Sequence, residues 1–212
     1  VGIVAPYVEK RLSLSGKGRE VTNGFSDLML LGRYKFFSRP QLRAWNHAAF
    51  QFTLKLPTGA TDRRVSLSLP PVTKRALQPG TGSTDLIFEF TGGRFTTRYN
   101  VVGNMGYRVN TEDDGIAFGD RFFVNADLEY FLFPRLTRRY GQEVISLIEW
   151  QFVHAERDRF QGRGVPESSG NSLFIAPGLQ WIVGERVLVE TSVQLPLFQE
   201  LTGRQPRFDH SV

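Results

Sequence analysis

Apolar and polar residues alternate along most of this chain. In segment 26–37 the even positions carry Leu28, Leu30, Gly32, Tyr34 and Phe36, while the odd positions include Asp27, Arg33 and Lys35. In 46–56, Ala48, Phe50, Phe52, Leu54 and Leu56 alternate with His47, Ala49, Gln51, Thr53 and Lys55. Successive side chains of a strand point to opposite faces, so each segment has one apolar and one polar face. The pattern recurs with Leu86, Phe88 and Phe90 against Asp85 and Glu89, and with Tyr99, Val101, Met105 and Tyr107 against Arg98, Asn100, Asn104 and Arg108. It continues with Phe122, Val124 and Leu128 against Arg121, Asn125, Asp127 and Glu129, and with Ile148, Trp150 and Phe152 against Glu149 and Gln151. Segment 172–181 and a last segment with Glu190 on its polar side complete the series, and 3–14 opens it. Nine strands are expected and no helix.

The expected strands run to about 9–14 residues, beyond the usual mode in soluble sheets. That length suits tilted strands crossing a bilayer, which need about 9–11 residues. The connections alternate in length. Long ones fall at 15–25, 58–83, 110–119, 157–171 and 198–209, shorter ones at 38–45, 92–95, 134–142 and 183–185. Long loops at one end and tight turns at the other characterise outer-membrane barrels. Aromatics gather near both ends. Phe36, Phe37, Trp45, Phe95, Phe131, Phe133, Tyr140 and Trp181 lie toward the turns, and Phe118, Phe122, Phe152, Phe160, Phe174 and Phe198 toward the loops. Two aromatic girdles are expected at membrane interfaces.

Composition narrows this picture. Of 212 residues, 41% are apolar and 22% charged, which argues against disorder. No stretch nears the ~18–20 apolar residues of a transmembrane helix, so a membrane protein of this sequence has to be a barrel. The chain has no cysteine, hence neither disulfides nor thiolate metal sites. Its net charge of +5 comes from scattered basic residues, densest at Arg135, Arg138 and Arg139, and nucleic acid is not expected as a partner. Val1 opens directly in a strand-like segment with no signal peptide ahead of it, as in a mature or trimmed protein.

The face that turns outward follows from bulk. The apolar set is uniformly Leu, Val and Phe, too much volume for one small closed core, and lipid removes that limit. The charged set then faces inward, either around water or as ion pairs that plug the interior. Arg33, Lys35, Glu89, Arg98, Arg108, Arg121, Asp127, Glu129, Glu149 and Glu190 are the candidate lumen residues.

Several short motifs resemble one barrel family. GFSDLMLLGRYKF at 24–36, LKLPTG at 54–59, GTGSTD at 80–85, GNMGYR at 103–108, APGLQ at 176–180 and VQLPLFQELTG at 193–203 are similar to the MetA pathway of phenol degradation family, often labelled simply "transporter". The resemblance covers most of the chain. It implies an outer-membrane barrel, sometimes linked to uptake of aromatic or other hydrophobic compounds. Against that pattern the chain lacks an early hairpin and a final strand with a terminal aromatic. About 12 antiparallel up-and-down strands are expected in the parent protein, with 10 as the alternative, in one barrel domain over 1–212.

Catalytic chemistry finds little support. His47, His154 and His210 have no metal-ligand spacing, and there is no HExxH or GxSxG. A barrel lipase remains an idea through Ser146 and His154, which share the apolar parity. The pairs Asp127/Glu129 and Asp85/Glu89 fit lumen salt bridges to Arg98, Arg108 or Arg121 better than acid–base work. The acidic stretch 110–115 reads as a solvated loop rather than a Ca²⁺ site. Loop 58–83, with Arg63, Arg64, Lys74 and Arg75, is expected to constrict the bore, to meet acidic lipopolysaccharide, or to move freely outside.

The expectation is therefore a channel or transporter for small molecules, hydrophobic or aromatic ones among them. The alternative is a plugged scaffold barrel that anchors a partner complex in the outer membrane. Lipid, lipopolysaccharide, a small solute and a protein partner are the expected contacts; no cofactor or metal is expected, and no enzymatic activity.

Overall fold

A computed structural model describes residues 1–14, 18–132, 142–184 and 187–203. The chain is built from antiparallel strands with one short helix. Among the described residues, a ten-stranded sheet carries the architecture. Its members are β1 (Gly2–Val4), β4 (Leu28–Gln41), β5 (Ala44–Leu56), β6 (Asp85–Thr96), β7 (Tyr99–Val109), β10 (Arg121–Phe131), β11 (Gln142–Ala155), β14 (Gly170–Val183), β15 (Val187–Ser192) and β16 (Leu195–Leu201). Neighbours in sequence pair in this order, so the sheet is an up-and-down meander. β15 and β16 both pair with β14, on Gly178–Val183 and Gly170–Ile175 respectively, as one strand broken near Pro177. Among the described residues the strand order ends at β1 and β4 on one side and at β15 and β16 on the other.

Period-two patterning decides which face is which. Phe50, Phe52, Phe88, Phe90, Val101, Met105 and Phe122 all stand exposed on the convex face, Met105 at 52% and Phe90 at 46%. The opposite parity turns inward: Thr53, Lys55 and Asp85 are buried, Asp85 completely. The sheet curls so far that Arg33 on β4 and Phe174 on β14 line the same cavity. This is the expected inversion, with apolar side chains outside and polar ones inside.

The alternation of loops holds where it is described. Turns 42–43 and 97–98 are shorter than expected because β4 to β7 run further than their apolar runs. The expected turn 134–142, with Phe133, Tyr140 and the Arg135, Arg138 and Arg139 group, falls almost wholly outside the described residues, as does His210.

Three expectations change at the loop end. Segment 3–14 is not one strand: only Gly2–Val4 joins the main sheet, and Tyr7–Leu14 (β2) pairs with Gly18–Phe25 (β3) in a separate hairpin. The expected loop 15–25 is thus largely strand. Loops 110–119 and 157–171 build a small second sheet from β8 (Glu112–Asp113), β9 (Ile116–Ala117), β12 (Arg159–Phe160) and β13 (Arg163–Gly164). Asp114–Gly115 and Gln161–Gly162 turn its hairpins with φ of 51° and 74°, and 50° and 74°. Positive φ at both central positions defines the turn that matches strand twist. Loop 58–83 holds the helix, α1 (Pro71–Ala76), started by a proline whose missing N–H costs nothing at a helix N-terminus.

Candidate functional site

The inward face divides into two zones. At the loop end lies a buried ionic cluster. Lys55 Nζ bridges Asp27 Oδ2 at 2.9 Å and Asp85 Oδ2 at 2.8 Å, and Arg108 Nη2 reaches the same Asp85 oxygen at 2.6 Å. Lys55 and Asp85 are register partners on β5 and β6, so the alternation that hides one hides the other. The backbone amides of Gly59 and Thr81 donate to the two oxygens of Asp27 at 3.0 and 2.8 Å. Thr81 Oγ1 also takes a bond from Lys55, and Ser83 Oγ donates to Asp85 Oδ1 at 2.8 Å. Burial alone raises the Asp27 carboxyl; Lys55 and the Thr81 and Gly59 amides outweigh it and hold Asp27 below its ordinary value.

Gly59 and Gly80 make this cluster possible. A Cβ on Gly59 would stand 2.7 Å from the Gly80 Cα, and one on Gly80 would stand 2.5 Å from the Gly59 carbonyl oxygen. Two glycine backbones therefore pass in contact, which brings both ends of segment 57–84 onto Asp27. The family-like stretches at 24–36, 54–59, 80–85 and 103–108 all meet here. The sequence flagged these stretches but left Asp27, Lys55 and Asp85 out of the candidate set. Their signal was the pairing of a buried-parity lysine with aspartates beside glycine-rich turns.

The cluster fastens a cap. Arg75, on α1, bonds Asp113 Oδ2 at 2.6 Å and the Thr81 carbonyl at 3.0 Å. Gly82 lets that bridge pass, since a Cβ there would meet Asp113 Oδ2 at 2.1 Å. On the other side, Lys10 Nζ donates to the carbonyls of Ala76 and Gln78 at 2.9 and 2.6 Å, and Thr22 Oγ1 donates to the Leu77 carbonyl. Burial, chiefly, and the nearby Lys55, Arg108 and Arg121 lower the Lys10 ammonium despite Asp27. Glu20 accepts from the amides of Ser66 and Leu67, and Gln78 exchanges two bonds with the Arg63 backbone. Loop 58–83 is thus tied to hairpins from both sides of the curled sheet. It lies across the loop end, and its residues do not line the inner cavity. Asp113 and Asp114 of stretch 110–115 face Arg75, Asp114 at 3.5 Å.

The second zone is a cavity of about 760 Å³ toward the middle of the sheet. Glu89, Asp127 and Glu149 line it with Arg33 and the amides of Gln51, Asn104, Asn125, Gln151 and Gln194. Asp127 and Glu149 are register partners on β10 and β11. Gln51 and Asn104 donate to Glu89 at 2.7 and 3.4 Å. Asn100 donates to Glu129 at 2.6 Å and Gln180 to Glu190 at 2.8 Å. Among the described residues no salt bridge reaches any of these five carboxylates. The expected pairing holds for Asp85 and Arg108 and fails for Asp127 and Glu129.

The candidate residues therefore separate. Arg108 joins the ionic cluster, and Arg121, its register partner, lies in the field of Asp85 and Asp158. Burial raises the Asp158 carboxyl against the Gly119 amide and Arg121. Arg33, Glu89, Asp127 and Glu149 line the cavity, with Glu129 and Glu190 close to Asp127. Lys35 Nζ sits 5.3 Å over the Trp45 ring. Arg98 is a correction: it lies in turn 97–98, exposed, beyond the end of the wall.

The expected girdles also divide. Phe36, Phe37, Trp181, Phe122 and Phe198 stand exposed. Trp45, itself 38% exposed, and Phe95 line the cavity and stack with His47, with ring centroids 5.0–5.4 Å apart. They share the parity of Gln51 and Glu89, and Gly93 leaves room: its Cβ would lie 2.8 Å from the His47 ring. Phe131 and Phe174 are likewise buried rather than on the convex face. Ser146 and His154 lie eight residues apart on β11, about 26 Å along a strand at ~3.3 Å per residue. His154 Nδ1 contacts Asn171 at 2.7 Å, and Ser146 bonds the Tyr130 carbonyl, so no nucleophile–base pair forms between them.

No curated protein matches the chain. The sequence profile described as "Putative MetA-pathway of phenol degradation" matches residues 1–199. Asp27, Lys55, Asp85 and the mid-sheet cavity thus all fall within the matched span, and this chain belongs to that family.

Proposed function

We propose that this protein is a bacterial outer-membrane β-barrel, closed with about 12 strands or alternatively 10, that passes small molecules through its interior. One observation carries this: the polarity of the sheet is inverted, with Phe50, Phe52, Phe88, Phe90 and Met105 exposed outside and Lys55, Asp85 and Glu89 inside around a cavity. A water-soluble sheet gains nothing from so large an apolar convex face, whereas lipid solvates it. Among the described residues no helix is long and apolar enough to cross a membrane. The family description supports a role around aromatic compounds at the level of its name only.

Adjacent residues on β5 test the orientation. In lipid vesicles, Phe50→Arg is expected to cost about 2–4 kcal/mol of folding stability, as a charge on the lipid face does, while Gln51→Arg costs little. Equal costs, or the reverse order, would sink the membrane reading. Ion conductance of the purified protein in planar bilayers tests passage.

A second reading has its own observation. The cap over the loop end is held by buried ion pairs, which suits a plugged scaffold barrel that anchors a partner. Absent conductance together with a stoichiometric co-purified protein favours it.

A further inference from the structure

We propose that the cavity within the curled sheet selects cations, and that its solute is a small organic ammonium compound with a flat apolar part. This deepens the channel function proposed above and rests on it for passage, though not for binding. At about 760 Å³ the cavity has the size of an ordinary organic-ligand site. Its charge is mostly acidic, with Arg33 on the wall and Lys35 over Trp45 as the cations beside it. Glu89, Asp127 and Glu149 line it against Arg33, and the further neighbours in the field of Asp127, Glu129 and Glu190, are also acidic. Asn100, Gln51, Asn104 and Gln180 orient three of these carboxylates by neutral hydrogen bonds without cancelling their charge.

Unused hydrogen-bonding atoms point the same way. Asp127 Oδ1, Asn125 Oδ1 and His47 Nδ1 are buried without any partner, and all three side chains line the cavity. Two are oxygens that only accept, and they require a donor such as N–H. The third feature is the stack of Trp45, His47 and Phe95, whose Trp45 and Phe95 rings also belong to the cavity wall. Lys35 already holds its ammonium over Trp45, so that ring face accepts a cation. Carboxylates, aromatic rings and unpartnered acceptors on the wall of one cavity match an ammonium group carried on a flat apolar body.

The experiment uses the full chain in planar bilayers under a tenfold KCl gradient, with benzyltrimethylammonium, phenethylammonium and toluenesulfonate as probes. The reversal potential is expected to show K⁺ preferred severalfold over Cl⁻, with both ammonium probes occluding the current and toluenesulfonate inert. Glu149→Gln and Asp127→Asn are each expected to weaken the block about tenfold, the order expected for one charge at close range in a partly solvated bore. Trp45→Ala is expected to weaken block by the aromatic ammoniums more than block by tetramethylammonium, a further probe without a flat part. Anion preference, no preference, or block indifferent to both carboxylate substitutions overturns the proposal. If the protein does not conduct, the channel function fails separately. Binding of phenethylammonium to detergent-solubilised protein, read as quenching lost in Trp45→Phe, then decides the inference: saturable quenching that Glu149→Gln weakens supports it, and its absence overturns it.

Discussion

The loop end and the middle of the same inward face treat charge in opposite ways. At the loop end the ions of the buried cluster neutralise one another: Lys55 lies between Asp27 and Asp85, and Arg108 completes Asp85. Around the cavity, carboxylates stand beside carboxylates, with Asp127 directly across from Glu149. Pairing of buried ions fixes geometry, since each partner left alone would pay the full desolvation cost. Unpaired charge beside open space leaves the geometry to neutral amides and keeps the charge available. The first zone reads as structure and the second as function.

The sharpest way to break this contrast is to remove the central cation. Lys55→Met leaves Asp27 and Asp85 buried without it and is expected to cost about 3–5 kcal/mol, measured by urea unfolding of the folded protein in detergent. The double variant Lys55→Met/Asp27→Asn should recover part of that loss, because the deficit is charge and not shape. A smaller loss is expected from Gly59→Ala. Its methyl group meets the Gly80 backbone and must push the cap ends apart, at about 1–3 kcal/mol with faster proteolysis in segment 57–84.

Acid provides a graded version. The Asp27 carboxyl is held below its ordinary value of 3.8, so the stability it contributes is complete above that pH and is lost as pH falls through the lower folded value. The stability difference between the wild type and Asp27→Asn should be the same at pH 7 and pH 5 and shrink only below about pH 4. The smallest effect is expected in the cavity, and with the opposite sign. Asp127→Asn removes a like charge facing Glu149 and should leave stability unchanged or raise it by up to about 1 kcal/mol. A loss comparable to that of Lys55→Met would erase the distinction between the zones.

Much of the sheet was legible because alternation is a local property. Phe50, Gln51, Phe52 and Thr53 declare their faces by position alone, and a strand has only two faces to offer. Trp45 and Phe95 share the parity of Gln51 and Glu89 and follow it to the cavity side, although their size and place near the turns predict a girdle. Residues 7–14 look like a wall strand because a hairpin arm and a wall strand share one pattern; only pairing with Gly18–Phe25 separates them. The cap escaped notice for another reason. Gln78, Arg75 and Glu20 bond across 15 to 46 residues, and no local spacing reports such contacts.

Side-chain order along an extended backbone is enough to dictate an alternating antiparallel sheet, its long and short connections and the two polarities of its faces. Which charges neutralise one another and which do not emerges from the folding of distant segments onto each other. Two strands bring Lys55 to Asp85 and Asp127 to Glu149 by the same register rule; whether the meeting is a bond or a repulsion depends on what the curl of the sheet and the cap deliver to that place.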